Sequence, residues 1–487
     1  MKKHFSIIAL LFLSFSLYSQ SYVSSLYYGN RLKLDISTFQ PIIYERDVPS
    51  ISRLQLRPLI NYTFGLGEKQ YRNFSYGLDI SYRSKDKLSL NIDFERFRGK
   101  QTNFIEDYLD KFGIYPGRGE LEINDNHYLY LDINFRISYK ISKFFHLDFG
   151  KSRHFIGNGY RSLLLSDNGG NYPFIRLSTN FGKIKYTNLY TTFFDIWDSP
   201  LRNKKHATFH YLEFKPLKYL SLGIFEGVIW QAEDSGYNRG YELAYLNPII
   251  FYRPVEFSMG SNKGNVLMGI NTILNIKNSN FYGQILLDDL NISRQKDRDN
   301  NYSGGFFQNK FAYQLGVKAN NIFNIKDLFI LAEFNQAQPY TYAHKMRMQN
   351  YTHLNQALAH PLGANFREFV GIINYTYNNW SLEIKWNHAI YGEDSTGTHF
   401  GKNIFISDYE AQNDGQQYSY GNFNGQGINT TQDFISVNIN RKIKEESNTY
   451  LYGQLVNRLI HSDLHTLNHL YFIIGVKTNL NNSYFDF

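Results

Sequence analysis

The sequence predicts an all-β fold, a transmembrane antiparallel β-barrel of about 16–18 strands (about 18 favoured) with long extracellular loops. Three observations carry that expectation. Apolar and polar residues alternate with period two along most of the chain. Aromatic residues reach 17%, from 40 Tyr, 40 Phe and 4 Trp, while the mean hydropathy is −0.42. Short turns alternate with long polar connections. A helical membrane protein needs runs of ~20 apolar residues and a disordered chain is poor in aromatics, so neither fits. The 487 residues carry 51 Lys+Arg against 43 Asp+Glu, a formal charge of +8 spread thinly, with no dense basic block for nucleic acid. The absence of cysteine excludes disulfide frameworks, thiolate metal sites, cysteine nucleophiles and a lipoprotein anchor.

The first element is a secretory signal peptide over 1–19. Met1-Lys2-Lys3-His4 is a basic start, Phe5 to Leu17 an apolar run, and Ser19 a small residue at the cleavage point. The run is too short for a membrane anchor. Residues 20–72, with Pro41, Pro49 and Pro58 among short apolar patches, read as a periplasmic lead-in with room for a short helix, followed by the first strand. The barrel is assigned to 73–487.

Tyr76, Leu78, Ile80 and Tyr82 share one face. After the turn at 84–87 the pattern resumes as Leu88, Leu90, Ile92 and Phe94, with Ser89, Asn91 and Asp93 opposite. Leu129, Leu131, Ile133, Phe135 and Ile137 repeat it. Similar runs lie near 144–151, 174–181, 184–194, 207–215, 219–228, 265–274 and 280–289. Others lie near 310–319, 327–336, 367–377, 380–390, 432–441, 448–458 and 469–479. A propeller would repeat every ~40–50 residues, and no such period occurs. A β-sandwich array leaves the aromatic loading unexplained, whereas barrels gather Tyr and Phe at both membrane interfaces. Long polar segments near 101–126, 338–365 and 391–431 contrast with turns such as Asn378-Asn379. Ser483-Tyr484-Phe485-Asp486-Phe487 alternates and ends on Phe, as a terminal strand offered to outer-membrane assembly machinery would.

Two stretches carry a family resemblance. Residues 149–168, with Gly157 and Gly159 after Phe155, a Ser162-Leu163-Leu164-Leu165 run and Asn168, resemble the signature of the Wzi-like capsule-assembly family. Ile156 stands where that family usually has Trp, and Gly169 where it has Ala. Gln338-Pro339-Tyr340-Thr341-Tyr342-Ala343-His344 and 359–366, together with Leu246-Asn247-Pro248 and Arg253-Pro254-Val255-Glu256, resemble the branch that includes the gliding motility protein RemB. The resemblance implies an 18-stranded outer-membrane barrel without enzyme activity or cofactor. It also implies roles in capsule attachment, surface adhesion or gliding.

Within 338–365, Tyr340 and Tyr342 offer ring faces for a sugar, and Asn365 a paired donor and acceptor. With His344, His360, Gly157, Gly159 and Asn168 they are the candidates for carbohydrate contact or for plugging the lumen; equally, such residues satisfy the backbone of a long ordered loop. His344, His353 and His360 match no compact metal-ligand spacing, so no metal is assigned. His461-Ser462-Asp463 cannot form a relay, because strand neighbours point apart. Asp288-Asp289 reads as a solvated strand end, and 415–427, rich in Gly, Asn, Gln and Tyr, as a flexible surface loop in preference to an adaptable sugar- or protein-contacting one. Inward positions of both signs, among them Asp93, Glu95, Lys183, Lys185, Glu383 and Lys385, imply a hydrated or plugged interior.

Three functions compete. The first is a non-enzymatic barrel organising surface polysaccharide, with membrane lipids, that polysaccharide and other outer-membrane motility or secretion proteins as partners. The second is a pore for small or sugar-like solutes, and the third a barrel hydrolase, disfavoured because no nucleophile–base pair emerges. An inward-folded 338–365 segment would argue against free passage.

Overall fold

The computed structural model describes residues 53–487 except 85–86, 126, 198–201, 235–236, 239, 250–263, 292–303, 396, 411–418, 444–448 and 479–483. The signal segment, the lead-in to residue 52, the Arg253–Glu256 stretch and residues 415–418 lie outside the described residues.

Eighteen antiparallel strands close into one barrel, to whose sheet Glu122–Asn124 adds a three-residue piece. They run Arg53–Leu66 (β1), Tyr71–Ser84 (β2), Leu88–Gly99 (β3), His127–Lys140 (β4), Phe145–Ser152 (β5) and Tyr172–Phe181 (β6). Next come Ile184–Asp195 (β7), Asn203–Leu217 (β8), Leu220–Gln231 (β9), Asn265–Ile276 (β10), Ser279–Asp289 (β11) and Lys310–Asn320 (β12). The circuit ends with Leu328–Ala337 (β13), Phe366–Tyr377 (β14), Trp380–Glu393 (β15), Ile428–Lys442 (β16), Thr449–Ser462 (β17) and Thr466–Thr478 (β18). Each strand pairs with its chain neighbours, and β1 returns to β18 over Tyr62–Leu66 against Phe472–Val476.

The two-residue period decides which face is wet. Leu131 is 60% exposed while the next residue, Asp132, is 6% exposed, so apolar side chains point out and charged ones in. Phe74, Tyr76, Ile175, Ile285, Leu315 and Ile373 continue the outer apolar surface around the circuit. Lys318, Glu333 and Glu368 are buried inside. One rim is made of tight reversals, two of them helped by positive φ at Lys277 (51°) and Asn378 (49°), as narrow hairpins require. The other rim carries the long connections. This is the periplasmic-turn, extracellular-loop asymmetry of outer-membrane barrels.

Pro58 sits in the part of β1 that pairs with β2 but precedes the stretch closing on β18, a place where a missing N–H is tolerated. Side chains extend that short seam. Ile60 N donates to Thr478 Oγ1 at 3.2 Å, and Thr478 N to Asn61 Oδ1 at 2.9 Å.

Two expectations need correction, and one segment read only as a long polar connection holds a further element. The 101–126 segment holds an α-helix, Asn103–Phe112 (α1), closed by Gly113 in the left-handed region at φ 66°. Its acidic first turn, final Lys111 and following Gly are helix signals that the surrounding strand pattern obscured. The last strand ends at Thr478, so Tyr484–Phe487 is not a terminal strand. Lys183 belongs to an exposed turn and does not face the lumen.

Candidate functional site

The 153–171 connection between β5 and β6 lies against the inner wall. Glycine makes the approach possible: a Cβ on Gly159 would sit 2.0 Å from a Glu333 carboxylate oxygen, and one on Gly157 2.5 Å from the Gln284 amide. With the backbone this close, wall side chains take over its hydrogen bonds. Tyr160 N and Arg161 N donate to Glu333 at 2.8 and 3.0 Å, and Leu163 N to Gln284 Oε1 at 2.9 Å. Lys318 donates to the Asn158 carbonyl at 2.8 Å, and Gln314 to that of Arg161 at 3.0 Å. A polar wall thus satisfies an irregular buried segment.

Arg161 is the centre of this plug. Its guanidinium, 1% exposed, donates to Glu368 at 3.0 Å and pairs with Asp486 at 3.2 Å. Lys385 lies 2.9 Å from Asp486, whose carboxylate also accepts the Tyr160 hydroxyl at 2.6 Å. Tyr484–Phe487 therefore occupies the lumen, with Tyr484 OH donating to Asp167 at 2.8 Å. Burial would push the Asp486 carboxyl up, but Arg161 and Lys385 hold it well below the usual carboxylate range.

The 338–365 segment packs on the same plug. Tyr342 and Tyr351 stack at 5.7 Å and donate to the successive carbonyls of Leu163 and Leu164 at 2.8 and 2.6 Å. Tyr340 donates to the His399 carbonyl at 2.8 Å. Both Tyr340 and Tyr342 are fully buried and hold positive φ (66° and 73°), a conformation that bulky residues keep only when packing dictates it. Tyr342 N donates to Asp288 at 2.7 Å, so Asp288 is a buried anchor and not a solvated strand end.

His344, His353 and His360 go separate ways. His344 Nδ1 accepts from Met346 N at 3.1 Å, and His353 Nδ1 from Phe194 N at 3.0 Å. His360 donates to Glu368 at 2.7 Å while its Nδ1 accepts from Leu362 N. Burial pushes His344 down to about 4 and His353 to about 3, and lowers His360 against the pull of Glu368. Among the described residues no three His, Asp or Glu converge as metal ligands.

Asn365, at φ 56°, joins three external segments. It donates to the carbonyls of Gly392 (3.0 Å) and Gln426 (2.8 Å) and accepts from Gly425 N at 2.7 Å. The described part of the 415–427 loop is thereby packed, Asn424 also reaching the Ala337 and Phe366 carbonyls, which corrects the flexible reading for that part. Asn168 donates to Ala357 O at 3.3 Å. His461 and Ser462 bond across the tight turn, to the Thr466 hydroxyl and from His465 N, while the Asp463 carboxylate accepts from Asn429 N on β16.

The plug clings to β11–β15. On the other side of the lumen, against β1–β4 and β16–β18, lies a cavity of about 270 Å³. Phe104 and Ile105 of α1 form its outer end, and Lys477 and Thr478 its periplasmic end. Tyr71, Phe97, Tyr130, Tyr452 and Tyr471 supply ring surface, and Asn61, Asn73 and Gln454 amides. Arg118 stands between Glu95 (3.6 Å) and Asp132 (3.5 Å), and Phe485 closes the side toward the plug.

No family model and no curated protein matches the chain. Solved structures similar to it include Acinetobacter baumannii OccAB2, at 10% identity and TM-score 0.46, covering 89% of this chain and 99% of that one. Pseudomonas aeruginosa OccK1 (OpdK) is similar at 8% identity and TM-score 0.46, with 88% and 98% covered. A BenF-like porin from Pseudomonas fluorescens Pf-5 follows at 7% identity and TM-score 0.45, with 87% and 97% covered. The closed circuit, its apolar exterior and its polar interior decide the compartment. The chain is an outer-membrane β-barrel.

Sequence reading missed the Arg161–Glu368–Asp486 cluster and the side cavity. Glu333 did carry a signal, as a single acid on an inward strand position between Ala332 and Phe334. Nothing in the sequence brings Asp486 to Arg161.

Proposed function

We propose that the protein is a non-enzymatic outer-membrane channel for small polar solutes, with its path off the barrel axis between the plug and the wall of β1–β4 and β16–β18. The observation that carries this is the side cavity, whose lining runs from α1 to the periplasmic end of β18 while the plug fills the opposite side. α1 covers the outer end and acts as its lid. Conductance of the purified barrel in planar bilayers tests the reading. A small, steady conductance is expected, rising when 103–112 is replaced by a short flexible linker. Absence of current from a barrel shown folded by its heat-shifted gel mobility would overturn it.

A second reading is that the barrel attaches or organises surface polysaccharide, in capsule, adhesion or gliding. It is supported by the resemblance of 149–168 and 338–366 and by the burial of those same stretches: a lumen so fully bonded to its own chain suits a structural part. In this reading the folded barrel carries no current, and extracted surface polysaccharide or a motility or secretion protein co-purifies with it.

A further inference from the structure

We infer that the side cavity is a binding site for a neutral, polyhydroxylated solute the size of a disaccharide. The inference rests on the channel reading for the solute's way in. The cavity's about 270 Å³ stands near the lower end of small-molecule sites (~300–1,000 Å³). Its polar groups select the chemistry. The Asn73 and Gln454 amides and the Tyr71 hydroxyl line it and have no hydrogen-bond partner among the described residues. Thr102 Oγ1 and Arg118 Nη1 are buried in its wall, also without a hydrogen-bond partner.

An apolar ligand would leave those amides unpaired, at a cost of ~1–3 kcal/mol each, so it is disfavoured. A net charge gains little either. Arg118 is held between Glu95 and Asp132, and Lys477 lies over the Tyr452 ring at 4.6 Å, so two cations stand against two carboxylates and the wall carries no net charge. Hydroxyl groups that both donate and accept fit the amides and the phenol that β2 and β17 present along one arc of wall. Tyr71, Tyr452 and Tyr471 add ring surface on which the C–H face of a sugar packs.

Titration calorimetry on the purified, folded barrel tests this with maltose, lactose and cellobiose, beside gluconate as an acyclic anion and benzyl alcohol as an apolar probe. Saturable binding of at least one disaccharide is expected, weakened roughly tenfold in Gln454→Leu and in Asn73→Leu, each losing hydrogen bonds to the ligand. Gln454→Met replaces the leucine variant if that one fails to fold. No binding by any disaccharide, equal binding in the variants, or preference for gluconate or benzyl alcohol would overturn the inference. Bilayer conductance of the same preparation separates the two readings. Current without sugar binding removes this site and leaves the channel; sugar binding without current leaves the site and removes the channel.

Discussion

At the scale of residues, Arg161 and Asp486 hold the plug through charge buried on both sides. Removing one partner of such a pair leaves the other uncompensated, which costs ~3–5 kcal/mol. Asp486→Asn should therefore free the plug, measured as new protease cleavage within 153–171 while the barrel keeps its heat-shifted mobility. Gly159→Ala should do the same by steric means, because its Cβ has no room beside Glu333. Tyr342→Phe removes only the bond to Leu163 O, and ~1 kcal/mol of plug stability is expected to go with it. Of these residues the sequence exposed the glycines and the tyrosines, because unusual residue types in a loop attract notice. Their partners were hidden, since a single inward Glu on a strand looks the same whether it faces water or a buried arginine.

Elements behave more predictably than residues. The strands were legible almost to their ends, because an outer face in lipid and an inner face in a polar lumen impose strict alternation. α1 was not, being ten residues inside a chain read with period two. Its docking depends on Gly113, where φ is 66° and a Cβ would meet nothing within 4 Å, so Gly113→Ala tests backbone strain alone. We expect ~1 kcal/mol weaker docking, seen as faster amide exchange in 103–112 and raised conductance. The 338–365 segment should respond to acid. His344 and His353 titrate near 4 and 3 when folded but near ~6.5 when released, so the folded loop binds fewer protons. Its stability is complete above ~6.5 and falls by ~1.4 kcal/mol per histidine per pH unit as acid is added, until the folded values are reached. Lys310 and Asp408 face the His344 ring, and Lys205 and Lys151 the His353 ring. Protease susceptibility of the loop should rise between pH 6 and about 4.

For the whole molecule, the closed circuit was legible in the alternation, whereas the filling of its lumen was not, since plug contacts join residues hundreds of positions apart. The same separation orders how the barrel comes together. Seventeen of its strand pairings join chain neighbours, and only the pairing of β1 with β18 spans the chain. Loop-closure entropy makes that contact the slowest to form. Until then the structure is a curling open sheet whose polar face is still wet. Sealing it first would trap Arg161, Glu333 and Glu368 without partners, so the lumen has to be furnished before its last seam is drawn shut.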